Sequence, residues 1–262
     1  MKRIFTALIL VPVGIYTSLF APWWLFLGVV ALVALLAFRE YAQIMHSFAP
    51  LGYVAGLLML IAPQREWIPL VILSCLAAMC LSLSAPDLER GVARSGALIM
   101  GMIYIFGAWK TAILLHDSAA SKAAFGATAG QHWLLFALSV NWIGDTAAYY
   151  VGRKFGRRKL APHVSPGKTW EGAIASAVSG VVLGAIYLPL TIPGTSPVLA
   201  ALFGLAANAA GQVGDLAESA IKRGGGVKDS GALLPGHGGI LDRVDSTMFA
   251  LPVVYTLVSF LR

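Results

Sequence analysis

Nine apolar runs recur along the chain, at about residues 4–20, 23–38, 48–63, 68–85, 96–115, 132–151, 172–192, 198–217 and 240–261. Each is of the length, or near it, that a helix needs to cross a hydrocarbon core about 30 Å thick, so the runs predict helices in a bilayer. Composition agrees: 58% of residues are hydrophobic and the mean hydropathy is +0.78, which leaves too little polar surface to coat a soluble globule. The expected fold class is an all-α polytopic membrane protein with about nine transmembrane helices. The third run is the weakest, being short and carrying Gly52 and Gly56 between flanking prolines, so a tilted, broken or partly inserted helix is expected there.

The formal charge of +7 would suggest nucleic acid in a soluble protein. In a membrane chain it reads instead as loop charge retained in the cytosol, and no nucleic-acid partner is expected. Nine helices with a cytosolic N-terminus put fifteen of the nineteen basic residues inside, leaving Arg65, Lys110, Lys122 and Arg262 outside. An even count would put either Lys2-Arg3 or the basic 153–168 loop on the wrong side. The first run continues to Phe20 and meets Pro22, Trp23 and Trp24 before the second, which predicts a retained membrane hairpin rather than a cleaved leader.

The two halves differ. Residues 1–130 offer helices, interfacial Trp23, Trp24 and Trp67 and little intramembrane polarity, as expected of a scaffold in contact with lipid. Cys75 and Cys80 sit in an apolar run without His or carboxylate neighbours and read as small packing residues. Residues 131–262 hold nearly all the chemistry. Between Asp215 and Ser246 the chain packs Asp215, Glu218, Lys222, Arg223, Lys228, Asp229, His237, Asp242, Arg243 and Asp245, although only 12% of the whole is charged. A charge at mid-bilayer depth costs at least about 2.5–3.5 kcal/mol, so these groups must face water, one another or a ligand.

Helical spacing sorts them. Asn208, Gln212, Asp215 and Ser219 fall on one face of the eighth helix, a stripe that suits either interhelical hydrogen bonding or a site. Asn141 and Asp145 are four apart on the sixth helix, and Asp242 and Asp245 three apart at the start of the ninth. About seven residues, roughly 10 Å of rise, separate Asp145 and Asp215 from the cytosolic ends of their helices. Four carboxylates from three helices can thus converge near the cytosolic boundary, and like charges so close would protonate unless compensated. Either an ion-pair network with Lys222 and Arg243 or bound cations would do this. Oxygen ligands without Cys or clustered His favour Mg²⁺, with Mn²⁺ as a substitute and room for a second cation.

Two segments suit phosphate. Ser165–Gly172, SPGKTWEG, sets a turn and Lys168 ahead of the seventh helix, whose first N–H groups can face an anion. Pro235–Gly239, PGHGG, lets backbone approach a ligand closely, with His237 able to orient a phosphate oxygen or simply to shape the loop.

The run SAIKRGGGVKDSGALLPGHGGILDRVD, Ser219–Asp245, resembles the signature of phosphatidate cytidylyltransferases, also called CDP-diacylglycerol synthases. The flanking GDLAES and the upstream DTAAYYVGRKFGRRKLAPHVSPGKTWEG, Asp145–Gly172, resemble the same family, so the likeness covers residues 141–246 and hardly touches the first 130. Gly224-Gly225-Gly226 departs from it, since family members often carry bulkier residues there. The resemblance implies transfer of the cytidylyl group of CTP to phosphatidate from the inner leaflet, on the cytosolic face of a bacterial inner membrane, by a homodimer. It implies that Asp215, Asp242 and Asp245 lie near the metal centre and that Lys228 and Asp229 belong to a charged chain supporting it. On this basis Asp215 and Asp242 are the leading metal ligands, with Asp245 and Asp145 as further ligands. Lys168, Lys222, Arg223, Lys228 and Arg243 are expected on phosphate, with Ser165, Ser219 and His237 as weaker candidates. A lipid kinase using a nucleotide γ-phosphate and a cation-coupled transporter are the competing readings; the transporter is disfavoured because its acids would sit at the midplane.

Overall fold

A computed structural model of the chain describes residues 2–117, 119–233 and 238–261, and these are almost wholly helical. Helices α1 (Lys2–Leu19), α2 (Trp23–Met45), α3 (Ala49–Ile61) and α4 (Trp67–Ser82) follow the first four apolar runs. The fifth run lies in a longer helical rod made of α5 (Leu88–Gly101), a π-helical turn (Met102–Gly107) and α6 (Ala108–His116). Helices α7 (Ala119–Phe125) and α8 (Ala129–Phe155) come next, then strands β1 (Lys159–Ala161) and β2 (Ser165–Thr169). The chain ends with α9 (Trp170–Thr191), α10 (Pro197–Gly224) and α11 (Leu241–Ser259).

Five of these stretches are long and apolar enough to cross a membrane: Trp23–Met45, Gln64–Ser82, Leu88–His116, Trp170–Thr191 and Pro197–Gly224. This is an integral membrane protein. Helix α3 is apolar but only 13 residues long, as the prolines and glycines of the third run foretell. Helices α8 and α11 have spanning length, but α8 holds Asn141, Asp145, Arg153 and Lys154, and α11 holds Asp242, Arg243 and Asp245. Both are less apolar than those five because of the polar residues they carry.

Three departures from the sequence reading bear on the site. The SPGK segment is a strand, not a turn: β2 pairs antiparallel with β1 (Lys159 opposite Thr169, Ala161 opposite Ser165). The reversal falls earlier, where Val164 N–H donates to Ala161 O across Pro162, a residue preorganised for the first corner of a turn. Helices α8 and α10 also run beyond their apolar stretches, so Arg153, Lys154, Lys222 and Arg223 ride on helix rather than loop. Asp145 therefore lies about 15 Å of rise from the end of its helix, not 10 Å.

Helices α9 and α10 approach backbone to backbone. A Cβ on Gly204 would strike Gly180 O, and one on Gly184 would strike Ala200 O, so small residues four apart on both helices make the contact. One buried apolar cluster, including Phe38, Phe106, Trp133, Ala207 and Leu251, runs through both halves of the chain. Through it α2 and α6 pack against α11, which brings the N-terminal half to the charged centre.

Candidate functional site

The hairpin carries Lys168 toward α10. Glu171, in the first turn of α9, accepts from Arg157 N (3.0 Å) and Arg158 N (3.3 Å), and Thr169 caps the helix by accepting from Gly172 N at 3.2 Å. Held this way, β2 reaches across to α10, where Lys168 Nζ lies 2.7 Å from Asp215 Oδ2. Ser219, one turn on, donates to Asp215 Oδ1 at 3.4 Å. The rest of the α10 stripe is interhelical bonding: Asn208 donates to Ser176 Oγ (3.0 Å), and Gln212 to Ala173 O (3.1 Å) and Asn208 Oδ1 (2.7 Å). The stripe thus divides, with glue at depth and the site at its end.

A second knot joins α10 to α11. Lys222 Nζ sits 2.5 Å from Asp242 Oδ1 and 2.6 Å from Glu218 Oε2, and the Glu218 side chain is wholly buried. The Glu218 contact is an ion pair without hydrogen-bond angles, and among the described residues Glu218 has no other donor. The second oxygen of Asp242 accepts from Gly239 N (2.8 Å), Ser230 N (3.0 Å) and Ser230 Oγ (3.0 Å). Both oxygens of Asp242 are thereby engaged, Oδ1 by Lys222 and Oδ2 by the loop before α11. Glu40 of α2 completes the knot. It accepts from Leu241 N (2.8 Å) and Ile240 N (3.0 Å), and its Oε2 lies 2.8 Å from Ser230 Oγ, whose single proton is shared between Glu40 and Asp242.

Asp145, Asp215 and Asp245 lie within electrostatic range of one another, Asp245 also of Glu218, and Lys168 and Arg243 within range of Asp145. Counting Asp242, five carboxylates face three cations, Lys168, Lys222 and Arg243. An oxygen-only donor set with surplus negative charge fits a hard divalent cation. As they stand, no three His, Cys, Asp or Glu side chains among the described residues are grouped closely enough to share a metal ion.

Two cavities open on this centre. One, about 290 Å³, lies between α1, α2, α8 and α11; Val11, Phe26, Val30, Val33 and Leu138 line its apolar length, and Asp145, Asp242, Arg243 and Asp245 its polar end. The other, about 430 Å³, is lined by Tyr149, Arg153, Lys168, Gln212 and Asp215, among others. Asp145 lines both.

The remaining expected residues stand apart. Lys222 lines neither cavity and is locked between carboxylates. Arg223 donates to Val227 O at 3.1 Å, while Lys228 and Asp229 are exposed in the loop beyond α10. Ser165 begins β2, opposite Ala161. His237 lies outside the described residues, so its assignment has no structural counterpart.

Sequence reasoning missed Glu40 and Tyr104, and it named Glu218 in the charged interval without giving it a role. Glu40 was legible as a lone acid in an apolar helix, a pattern that marks function by default. Glu218 shares a helix with Asp215 and Lys222. Tyr104 comes from the π-helical turn, an irregularity often found at sites. Its ring packs on Phe249, and its hydroxyl is buried without a partner among the described residues, within electrostatic range of Asp245, Glu218 and Asp215.

Fold and site together define a class: an integral membrane protein whose charged centre joins an apolar cavity to a polar one. More particularly, the model of the cytidylyltransferase family matches residues 1–261, and the chain belongs to that family. It is 32% identical to a phosphatidate cytidylyltransferase of Pseudomonas aeruginosa over 98% of this chain and 96% of the relative. Phosphatidate cytidylyltransferases of Bacillus subtilis and Haemophilus influenzae are 46% and 45% identical to it over 50% and 47% of this chain. Against those two, the chain spans about half the length of the curated relatives it matches, 48% and 44%.

Proposed function

We propose that this chain transfers the cytidylyl group of CTP to phosphatidate, giving CDP-diacylglycerol and pyrophosphate. The observation that carries the reading is the shared wall: Asp145 lines both an apolar cavity and a polar one. A reaction between a lipid and a water-soluble nucleotide needs such a junction. The apolar cavity, between α1 and α2, suits an acyl chain, with Arg243 at the headgroup level; the polar cavity, with Lys168 and Arg153, suits a triphosphate.

The chemistry asks little of a base. A phosphate monoester is mostly dianionic near pH 7. Its oxygen forms a bond to the α-phosphorus of CTP, the bond from that phosphorus to the bridging oxygen breaks, and the electron pair leaves with pyrophosphate. What the protein must overcome is repulsion between anions. Lys168 holds triphosphate oxygens, and Arg243 draws the lipid phosphate to the level of Asp145. The α8, α10 and α11 helices fix the two reacting groups side by side. Asp145, Asp215 and Asp245 are not grouped for a metal as they stand; drawn together, they would hold Mg²⁺, or Mn²⁺ in its place, and the ion would supply neutralisation of the triphosphate and its leaving group. Asp242, bonded to Lys222 and to the backbone of Ser230 and Gly239, anchors α11.

The nine-helix topology belongs to the same proposal, with the N-terminus, the hairpin and the centre on the cytosolic side of a bacterial inner membrane. The distribution of basic residues supports it. The test is stoichiometry: purified protein given CTP, phosphatidate and Mg²⁺ should yield one pyrophosphate per CDP-diacylglycerol, and none of either after chelation. Pyrophosphate release without a cytidylylated lipid would refute it.

A further inference from the structure

We propose that Glu40 is a positioning residue for the transfer centre, fixing the first turn of α11 and, through Ser230, the Asp242 carboxylate. The inference rests on the proposed cytidylyl transfer for its kinetic readout.

Helix α11 begins without a cap of its own. Its N-cap residue, Ile240, offers no side-chain acceptor, although the first N–H groups of a helix have no partner within it. Glu40, 200 residues away in sequence, takes two of them, accepting from Ile240 N and Leu241 N, while Asp242 reaches back to Gly239 N just before the cap. A negative charge at this end also complements the helix dipole.

Glu40 is only 6% exposed, and its described partners are a hydroxyl and two backbone N–H groups, with no Lys or Arg among them. A serine or threonine at the cap would satisfy α11 without burying an anion. What Glu40 adds is a link from α2 to the site. Ser230 Oγ lies between Glu40 Oε2 and Asp242 Oδ2, and Asp242 continues to Lys222 and Glu218. The loop is shaped to admit this carboxylate: a Cβ on Gly231 would come within 2.7 Å of Glu40 Oε1, and one on Gly239 would strike Oε2. The turn held in this way carries Asp242, Arg243 and Asp245, all of which line the apolar cavity at its polar end. A shift of α11 would displace Asp245 and Arg243 from Asp145 and Asp215 across the junction.

Glu40→Gln tests the idea, because it keeps volume but turns an amide N–H toward donors. Turnover per folded protein should fall about 100-fold, the scale of a 1 Å misplacement, while the KM for CTP stays within about threefold. The melting temperature in detergent should hold to a few degrees, and exchange at the amides of Gly239, Ile240 and Leu241 should quicken. Near-parental kcat, or a loss that only tracks the folded fraction, would overturn the proposal. Should Glu40→Gln not fold, Ser230→Ala decides: it leaves both backbone caps and cuts the link to Asp242. A drop of about tenfold or more supports positioning and parental kcat rejects it. If the parent makes no CDP-diacylglycerol, the proposed function fails by itself. The exchange data then stand alone, with faster exchange supporting the positioning role and unchanged exchange rejecting it.

Discussion

Lys168→Met separates the two cavities by kinetics. The ammonium stands 2.7 Å from Asp215, with the two side chains 24% and 32% exposed, and it lines the polar cavity but not the apolar one. Methionine keeps the stem and removes the charge. Because water reaches both partners, loss of the ion pair should cost about 1 kcal/mol of stability or less. Loss of a charge-assisted contact to a triphosphate is larger, about 1.5–3 kcal/mol. At about 1.4 kcal/mol per tenfold, that predicts a fall in kcat/KM for CTP of about 10- to 150-fold. The assay varies CTP at fixed lipid, then phosphatidate as surface mole fraction at fixed CTP. The KM for phosphatidate should move by less than about threefold. A shifted phosphatidate dependence with untouched CTP dependence would assign Lys168 to the lipid and refute the division of the pockets.

Other substitutions probe the same arrangement. Asp215→Asn should abolish Mg²⁺-dependent turnover with the melting temperature nearly kept, and substantial remaining activity would remove Asp215 from the metal site. Asp242→Asn should instead lower stability by about 1.5–3 kcal/mol, read as a shift in thermal unfolding, because its amide cannot accept at both ends and so loses either Lys222 or the backbone donors of Ser230 and Gly239. Equal stability of the two variants would contradict the distinction. Val33→Trp should fill the apolar cavity and raise the KM for phosphatidate while sparing that for CTP; the reverse would move the lipid elsewhere. For topology, Arg157→Cys and Thr195→Cys should label from opposite sides of sealed vesicles, in a background lacking the native Cys75 and Cys80. Labelling from one side would break the nine-helix count.

The helices were legible because hydropathy is a local signal, and every apolar run corresponds to a helix. The ends of α8 and α10 were not, since the apolar run stops while the backbone goes on as helix through Arg153, Lys154, Lys222 and Arg223. The hairpin was hidden because Pro166-Gly167 signals a turn locally, whereas cross-strand pairing with Lys159–Ala161 makes it a strand. The α10 stripe was read as one face, but a single helix cannot reveal that Asn208 meets α9 while Asp215 meets β2. Glu40 went unnoticed for the same reason at longer range. Its partners lie 190 to 201 residues away, and the N-terminal half reads as scaffold because it brings only a few side chains, Glu40 and Tyr104 among them, to the centre.

The central claim, that CTP gives up its α-phosphorus to a lipid phosphate at the Asp145 junction, is tested most directly by following the label. Purified protein is incubated with phosphatidate, Mg²⁺ and CTP labelled at either the α- or the γ-phosphate, and the lipid is extracted. Cytidylyl transfer predicts that α-label enters the lipid and γ-label stays in the aqueous phase as pyrophosphate. γ-Label in the lipid would make the protein a kinase, and no label in the lipid from either nucleotide would contradict the account altogether.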